Sequence, residues 1–324
     1  MAEATPLYQI RLALRPTLSD LSAGDTVLVA VSGGADSSSL AAGLLVESKE
    51  RAIRVIAVII DHALQANSAD VAQNTKAELA KIGYTNIEIK RIKVDVRDGM
   101  EASARRARYA ALNEIADSVN AVAIFLGHTK DDQAETVLLG LARGSGTRSL
   151  SGMAERIDRY RRPLLSITRS QTEAACKEIG IKYWNDPHNQ SMEYARVRVR
   201  EQVLPLMERE IGPGIADALT KSAKLLRDDA DALDEWAKEV LAEIESNESD
   251  LRELDIEMLA TLPRAIRSRV IRKAIYLAGA PSGSLSAEHI ESVEALVTAW
   301  KGQGAVSLPG GVTVSRISGR LSLS

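Results

Sequence analysis

Apolar residues are concentrated in four short runs in the first half of the chain, each with the length and β-branched content of a buried strand. The segments between them repeat their apolar positions with helical spacing, which predicts helices over residues 7–18, 69–82 and 101–118. Strands that alternate with helices pair in parallel through right-handed crossovers. The pattern therefore predicts an α/β domain with a doubly wound, mostly parallel sheet, whose strands cover residues 26–31, 54–60, 87–94 and 121–126.

The last third of the chain has the pattern of amphipathic helices instead. One apolar stripe runs through residues 214–244, and further helices are predicted over 263–278 and 286–299. Short segments on either side of Pro309-Gly310-Gly311 predict a terminal hairpin. These patterns predict two domains: a catalytic α/β domain over residues 1–210 and a smaller, mainly helical domain over residues 211–324.

Composition limits the class of protein. No apolar run in the 324 residues approaches the length of a membrane span, and the start of the chain lacks the layout of a secretory signal. We therefore expect a cytoplasmic protein with no membrane partner. The single cysteine, Cys176, cannot form an internal disulfide or supply a metal cluster alone. Although the net charge is -3, basic residues outnumber acidic ones over residues 143–200 and 261–324, so a polyanion would meet local basic patches.

The first predicted strand runs directly into Ser32-Gly33-Gly34-Ala35-Asp36-Ser37. Glycine lets the backbone approach a ligand closely, and unpaired N–H groups at the start of the next helix favour an anion. Phosphate is the obvious anion for such a turn. A turn that is glycine-rich only for tightness, with Ser and Asp as ordinary helix caps, is the alternative. The turn lacks the third glycine of GxGxxG, and no GxxxxGK motif is present, so the better-known phosphate loops do not fit.

Two other polar segments follow the C-terminal ends of predicted strands, where ligands of doubly wound sheets bind. Asp61-His62 follows the second strand, and Gly127-His128 follows the fourth strand at the start of a helix. In that helix His128, Asp132 and Glu135 lie about one turn apart and share a side. The two carboxylates could hold Mg²⁺ or an incoming ammonium. Acidic residues that only complement the helix dipole are the alternative.

Arginines are dense in three segments. Arg105 and Arg108 share one helix face, so this pair could contact a phosphate. The sequence ARVRVR puts Arg196, Arg198 and Arg200 at alternate positions, which predicts one face of an extended segment that contacts a flipped nucleotide or its flanking phosphates. The predicted helix over residues 263–278 carries a third basic set, which includes Arg267. For each segment, a solvated basic face is the alternative.

Several of these segments resemble the motifs of one enzyme family. SGGADS resembles the SGGxDS loop of the N-type ATP pyrophosphatase (PP-loop) superfamily. The chain also resembles the tRNA(Ile)-lysidine synthetase family, in its short form without a further C-terminal domain, through the blocks DHALQANSAD, GMEASARRARYAAL, GHTKDDQAETVLLGLARGSGTRSLSGM, RRPLL and WNDPHNQSMEYARVRVREQVLPLM. It departs from the family pattern at Ala63 and Gln65, where Gly and Arg are expected, and at His188, where Ser or Thr is expected.

The resemblance implies a fold like that of the adenine nucleotide α-hydrolases, and a two-step reaction. ATP adenylates the C2 oxygen of the wobble cytidine in an isoleucine tRNA with a CAU anticodon, and pyrophosphate leaves. The side-chain amine of L-lysine then displaces AMP to form lysidine, because the base must become electrophilic before a weak amine nucleophile can react. ATP and Mg²⁺ are the expected cofactors, and tRNA(Ile) and L-lysine are the expected partners.

The resemblance also implies roles for individual residues. Asp36 and then Asp132 are expected to bind Mg²⁺, and Glu135, with Asp132, to hold the lysine ammonium and accept its proton. Arg105, or Arg108 in its place, and His128 are expected to bring positive charge to the cytidine and α-phosphate. ATP is expected to contact Ser32, Gly33, Gly34, Ala35, Asp36, Ser37, Asp61, His62 and Gly127. The tRNA is expected to contact Arg108, Arg196, Arg198, Arg200 and Arg267.

Three other functions remain open from the sequence. Another PP-loop ligase, such as an NAD or GMP synthetase, would need no basic tRNA surface. A sulfur-inserting tRNA enzyme is disfavoured by the lone Cys176. A non-catalytic binding module is disfavoured because SGGADS and GHTKDDQAE are both intact. The sequence predicts neither the oligomeric state nor the means of rejecting a methionine tRNA with the same anticodon.

Overall fold

The computed structural model describes residues 5–63, 67–95, 99–144, 146–184, 192–247, 252–281 and 283–324. The sequence departures at residues 65 and 188 lie outside these ranges. The chain divides into two compact units, residues 1–224 and 225–324. This division falls inside a single helix, whereas the sequence predicts a boundary at residue 210. Within the described part of the chain, no helix combines the length and apolarity needed to cross a membrane.

The first unit is built on a six-stranded sheet. Its strands are β1 Thr26–Ala30, β2 Arg54–Asp61, β3 Ile87–Arg91, β4 Ala123–Leu126, β5 Arg156–Ile157 and β6 Tyr160–Arg161. Their spatial order is β3-β2-β1-β4-β6-β5, with parallel pairing except between β5 and β6. The predicted doubly wound, mostly parallel sheet is confirmed, although β3 and β4 are shorter than the apolar runs that predict them.

Helices pack on both faces of this sheet. The α-helices of this part of the chain are α1 Pro6–Leu14, α2 Ala35–Glu50, α3 Ser68–Lys81, α4 Met100–Ser118, α5 Lys130–Ala142, α6 Thr147–Leu150, α7 Arg169–Glu178, α8 Ala195–Arg198 and α9 Leu204–Glu210. Val27 and Val29 of β1 pack in one core with Leu40 of α2, and Leu28 packs in a second core with Leu112 of α4. Since side chains alternate across a strand, a continuous apolar run serves both cores.

The second unit is a helical domain closed by a small sheet. The helix α10 Ile215–Asn247 leads into α11 Ile256–Thr261, α12 Arg264–Leu277 and α13 Ala287–Thr298. The sheet is antiparallel, with the order β7-β10-β9-β8 and the strands β7 Glu253–Asp255, β8 Val306–Ser307, β9 Thr313–Ile317 and β10 Arg320–Leu323. The predicted terminal strands are confirmed, whereas β7 was not predicted, because three residues are too few to show an alternating pattern.

Candidate active site

The loop between β1 and α2 is braced by its own side chains. The Ser32 backbone N–H donates to the Ser37 hydroxyl (3.1 Å), which in turn donates to the Gly34 carbonyl (3.1 Å). Gly33 has φ +90°, and a Cβ at this position would lie 2.5 Å from the Thr75 Oγ1, so only glycine fits. Among the described residues, no side chain caps the start of α2. The orphan N–H groups of a 16-residue helix are therefore left for an anion.

A cavity of about 460 Å³ opens at the C-terminal ends of β1, β2 and β4, beside this loop. Seven of the nine residues predicted to contact ATP line it: Ser32, Gly34, Asp36, Ser37, Asp61, His62 and Gly127. Gly33 and Ala35 contact the protein on the side of the loop away from the cavity. Gly33 packs on Thr75, and the Ala35 carbonyl accepts a hydrogen bond from the Cys176 thiol. The rest of the lining is largely apolar and includes Val31, Val58, Ile60 and Leu126.

Gly127 brings the end of β4 directly against the start of α2. A Cβ on Gly127 would lie 2.9 Å from the Ser37 Cα and 3.0 Å from the Asp36 carbonyl oxygen. These neighbours are backbone atoms, so they cannot rotate away as a side chain would. The glycine is therefore required for the close approach of the two predicted segments, rather than for an unusual backbone angle.

One corner of the cavity holds buried nitrogen atoms that lack a partner among the described residues. These are the Nε of Arg108 and the Nδ1 atoms of His62 and His128. Two other such atoms of the described residues, the Nε atoms of Arg161 and Arg162, do not line the cavity. Because unsatisfied buried polar atoms are rare in native structures, three of them around one cavity indicate a polar ligand. Burial and the nearby Arg108 lower the pKa of His62. Burial, assisted by nearby arginines and opposed by Asp132, lowers the pKa of His128 to about 3.

The pKa of His128 changes one predicted role, and the positions of Arg105 and Arg108 change another. His128 is neutral near pH 7, so it offers a hydrogen bond and not the positive charge that the sequence suggested. Arg108, predicted to contact tRNA, lines the cavity. Arg105, predicted to be catalytic, is exposed, stacks 4.9 Å from the Tyr109 ring centre and donates to the Tyr109 hydroxyl. The geometry thus favours Arg108 over Arg105 as the cavity's cation.

The two carboxylates predicted to bind Mg²⁺ lie on either side of Arg169. The Arg169 Nε is 3.6 Å from the Asp36 Oδ2, and its Nη2 is 3.5 Å from the Asp132 Oδ1. The other oxygen of Asp36 accepts a hydrogen bond from the Thr172 hydroxyl. Burial raises the pKa of Asp36, and Thr172 and Arg169 only partly oppose this. Burial alone would raise the pKa of Asp132, but Arg196, His128 and other neighbours lower it overall.

Sequence reasoning missed Arg169 and Thr172. Both lie in the first turns of α7, a segment that carries no recognisable phosphate or metal motif. The signal available in the sequence was position alone, since the segment begins shortly after RRPLL. Across the described ranges, this site included, no group of three or more His, Cys, Asp or Glu side chains is arranged to hold a metal ion.

Glu135 is fully buried and is bound by two arginines. The Arg196 Nε lies 2.7 Å from the Glu135 Oε2, and the Arg200 Nε lies 2.6 Å from the Oε1. The prediction of an extended segment here is wrong, because Ala195–Arg198 is α-helical and Val199–Val203 forms a π-helical turn. Arg196 and Arg200 are four residues apart and so reach the same carboxylate. Arg198 points elsewhere and donates to the Met192 and Glu193 carbonyls.

Arg267 in the second unit has an internal partner rather than a free guanidinium. Its side chain is 11% exposed, its Nε lies 3.3 Å from the Glu294 Oε1, and it donates to the Leu262 carbonyl. Arg269 on the same helix pairs with Asp234 at 2.7 Å. The geometry therefore does not support the predicted contact between Arg267 and tRNA, because the side chain stabilises the packing of α12 on α13.

Comparison with protein-family models matches two separate parts of the chain. A PP-loop domain model matches residues 8–207, and a model described as the TilS substrate binding domain matches residues 254–322. The first match extends over more than half of the chain. It includes the cavity and the loop between β1 and α2.

Similar proteins align over nearly the whole chain. A tRNA(Ile)-lysidine synthase from Thermobifida fusca is 46% identical over 319 residues, which are 98% of this chain and 98% of that protein. The synthase from Streptomyces coelicolor is 47% identical and aligned over 91% and 84% of the two chains. The synthase from Salinispora tropica is 44% identical, with 99% and 97% aligned.

A solved structure with the same fold belongs to a more distant protein. The U34-tRNA thiolase NcsA from Methanococcus maripaludis, solved with its 4Fe-4S cluster, superposes with a TM-score of 0.57. The match covers 68% of this chain and 80% of that chain, at 19% identity. At this identity the likeness shows the fold alone.

Proposed function

This chain belongs to the tRNA(Ile)-lysidine synthase family, and we propose that it ligates L-lysine to the wobble cytidine of a tRNA(Ile) with a CAU anticodon. The observation that carries this proposal is the cavity beside the start of α2, with buried nitrogens of His62, Arg108 and His128 that lack a partner among the described residues. A nucleotide supplies both an anion for the helix and acceptors for those nitrogens.

The proposed reaction has two steps. The C2 oxygen of the cytidine attacks the α-phosphorus of ATP, and the bond to pyrophosphate breaks. The ε-amine of lysine then attacks C2 of the base, the C2–O bond breaks, and AMP leaves with the oxygen. The amine gives up its proton to a carboxylate in the site. Adenylation is needed because it turns a poor leaving oxygen into AMP.

The loop from Ser32 to Ser37 binds the pyrophosphate end of ATP in this proposal. Two observations support this assignment. The start of α2 has no side-chain cap among the described residues, and the hydrogen bond between Ser32 and Ser37 fixes the backbone of the loop before a ligand binds. The apolar lining from Val31, Val58 and Ile60 suits the adenine ring. Binding to a preformed loop costs less ordering entropy than binding to a mobile one.

Arg108 carries the positive charge for the α-phosphate. Its guanidinium is in the cavity, and its Nε has no partner among the described residues. A preorganised donor of this kind stabilises the charge that develops on the phosphoryl oxygens in the transition state. His128, which is neutral, hydrogen-bonds the substrate and does not add charge.

Asp36 and Asp132 fit a divalent cation. Both carboxylates approach one cationic group, Arg169, so they already share a site for positive charge. Mg²⁺ takes one or two carboxylates and completes its coordination with phosphate oxygens and water, which agrees with this donor set. When bound, Mg²⁺ would neutralise charge on the departing pyrophosphate.

Glu135 is the proposed site for the lysine ammonium, with Asp132 beside it. In the present geometry both oxygens of Glu135 are occupied by Arg196 and Arg200. The lysine amine must therefore displace one of these guanidiniums. The displaced arginine becomes available to an anionic group of lysine or tRNA, which links lysine binding to the predicted role of the two arginines in tRNA binding.

The tRNA would contact both units. Arg198 is exposed in the first unit, and the second unit matches a substrate-binding model over residues 254–322. Arg267 is not included in the proposed surface, because it pairs with Glu294. A cytoplasmic location follows from the substrate and remains part of the proposal.

A test that follows the adenylate separates this reaction from its rivals. With ATP labelled at the α-phosphate and without lysine, label should accumulate on tRNA(Ile) transcript and leave as AMP when lysine is added. An amide-forming ligase would turn over ATP without any tRNA. Labelling of a methionine tRNA with equal efficiency would contradict the proposed specificity, and no labelling of any RNA would contradict the proposed intermediate.

A further inference from the structure

Arg169 is fixed at the junction between the starts of two helices. Its backbone N–H donates to the Asp131 Oδ2 (2.8 Å) at the start of α5, and the Lys130 N–H donates to the Ile167 carbonyl (2.9 Å) in return. These reciprocal bonds hold the first turn of α7 against the first turn of α5. The position of the Arg169 Cα is thus set by the backbone and not by its own side chain.

The Arg169 guanidinium lies between two acidic side chains without a short bond to either. Its nitrogens are 3.6 Å from Asp36 and 3.5 Å from Asp132, and its side chain is 25% exposed. Charge-assisted N–H···O bonds usually measure about 2.7–2.9 Å. The contacts are therefore mainly electrostatic, and the exposed fraction leaves the guanidinium a route out of the site.

The same helix also fixes the orientation of one carboxylate. Thr172, three residues after Arg169, donates its hydroxyl to the Asp36 Oδ1, which directs the Oδ2 towards Arg169. Asp132 is likewise oriented, because its Oδ2 accepts the Thr129 N–H (2.8 Å) and its Oδ1 faces Arg169. One oxygen of each carboxylate thus accepts a hydrogen bond from Thr172 or Thr129, and the other faces Arg169. The Asp132 Oδ1 is also approached by the Nη2 atoms of Arg196 (3.5 Å) and Arg200 (3.7 Å).

We propose that Arg169 is a positioning residue that holds Asp36 and Asp132 in place as their counterion before the nucleotide binds, and competes with Mg²⁺ for them. The proposal rests on the assignment of these two carboxylates to Mg²⁺ under the proposed function. Arg196 and Arg200 also approach the Asp132 Oδ1, at 3.5 and 3.7 Å, but among the described residues only Arg169 reaches both carboxylates. The Arg169 charge is therefore the one that holds the two carboxylates together. It also weakens binding of a divalent ion alone, so that the ion enters together with the ATP phosphates, whose negative charges overcome the repulsion.

The test is cation affinity in the absence of nucleotide, with Mn²⁺ as the probe, because its electron paramagnetic resonance signal reports the free ion. We expect Arg169→Gln to bind Mn²⁺ roughly ten- to a hundredfold more tightly than the wild type, since a unit positive charge a few ångströms from a divalent ion is removed. Arg169→Lys keeps the charge and should stay close to the wild type. Lys177→Gln, at the exposed far end of α7, is the matched control and should change nothing.

Thermal stability gives a second readout that does not depend on activity. Without cations, Arg169→Gln should melt at a lower temperature than Lys177→Gln, because Asp36 and Asp132 repel each other. Millimolar Mg²⁺ should restore most of that loss and should change the wild type much less. If the Gln variant does not fold, Arg169→Met retains the aliphatic stem and the same measurements apply.

Two results would overturn the proposal. Both can be distinguished from a result showing that Asp36 and Asp132 do not bind the metal at all. Unchanged Mn²⁺ affinity in a folded Arg169→Gln variant would contradict the competition. A gain in affinity that Asp36→Asn in the same background fails to remove would show that the cation binds elsewhere. Failure of the metal assignment itself has a different signature: Asp36→Asn in the otherwise wild-type chain would leave Mn²⁺ binding with ATP unchanged.

Discussion

Arg108 and Arg105 provide a matched test of which arginine serves the reaction. The two lie one helical turn apart on α4 and both approach the Tyr109 ring, at 5.6 and 4.9 Å. Only Arg108 lines the cavity, where its Nε is buried without a partner among the described residues. Arg105 is exposed, and its guanidinium bonds to the Tyr109 hydroxyl.

The expected losses of rate for Arg108→Gln and Arg105→Gln differ by about two orders of magnitude. Removing one preorganised donor from a developing oxyanion costs about 10²–10³ in kcat, or roughly 3–4 kcal/mol, so Arg108→Gln should lower the rate of adenylate formation by that factor. An exposed cation contributes at most about 1 kcal/mol, so Arg105→Gln should change the rate by no more than about fivefold. Burial also lowers the pKa of Arg108, which shows that its charged form is held in the cavity at a desolvation cost. Replacing Arg108 with Gln removes this cost and should not destabilise the fold.

The assay is single-turnover transfer of α-labelled phosphate from ATP to tRNA(Ile) transcript, with ATP affinity measured separately by calorimetry. A loss in the chemical step at saturating ATP is expected for Arg108→Gln. Equal losses for the two variants, or a larger loss for Arg105→Gln, would refute the assignment of the cavity cation. Loss of ATP affinity alone, with the single-turnover rate intact, would show that Arg108 binds ATP uniformly and does not act on the transition state.

Three further predictions follow from the packing and charges of the first unit. Gly127→Ala places a Cβ 2.9 Å from the Ser37 Cα. Calorimetry should therefore show at least a tenfold loss of ATP affinity, and thermal unfolding should show a loss of about 1–3 kcal/mol in the free energy of unfolding. The control Gly304→Ala, with nothing within 4 Å of its Cβ, should match the wild type. Glu47 is fully buried against Arg11, Arg15 and Arg51, so Glu47→Gln should destabilise the protein by about 3 kcal/mol in urea unfolding, whereas Glu50→Gln on the exposed side of α2 should cost under about 0.5 kcal/mol. The pKa of His128 falls from 6.5 to about 3 on folding. The unfolded chain therefore binds the extra proton first, and the wild type should lose about 2 kcal/mol more than His128→Gln as the pH falls from about 8 to 5. Equal pH dependence of the two proteins would contradict a buried neutral His128.

The sequence predicted those features of the fold and the site that depend on local sequence pattern. Apolar runs located β1 to β4, and glycines and polar residues at their C-terminal ends located the cavity, because a parallel sheet brings those ends to one edge. SGGADS and GHTKDDQAE are each continuous in the chain, so their chemistry could be recognised without a structure. Seven of the nine predicted ATP contacts line the cavity for this reason.

The sequence did not predict contacts made between distant segments. Arg169 reaches Asp36 across 133 positions of chain, and nothing near it resembles a site motif. Alternation in ARVRVR suggested a strand, but Arg196 and Arg200 instead bind Glu135 from a helix, since a buried carboxylate needs partners. The choice between Arg105 and Arg108 also needed the structure, because only burial separates two arginines on one helix face.

The central claim is that this chain attaches lysine to one cytidine of one tRNA. The most direct measurement is nucleoside mass spectrometry of the anticodon loop after incubation of tRNA(Ile) transcript with the protein, ATP, Mg²⁺ and isotopically labelled L-lysine. The account predicts a single modified residue, the wobble cytidine, carrying the labelled lysine, and none in a methionine tRNA with the same anticodon. An unmodified wobble cytidine in the presence of ATP turnover, or a sulfur-containing base at that position, would contradict it.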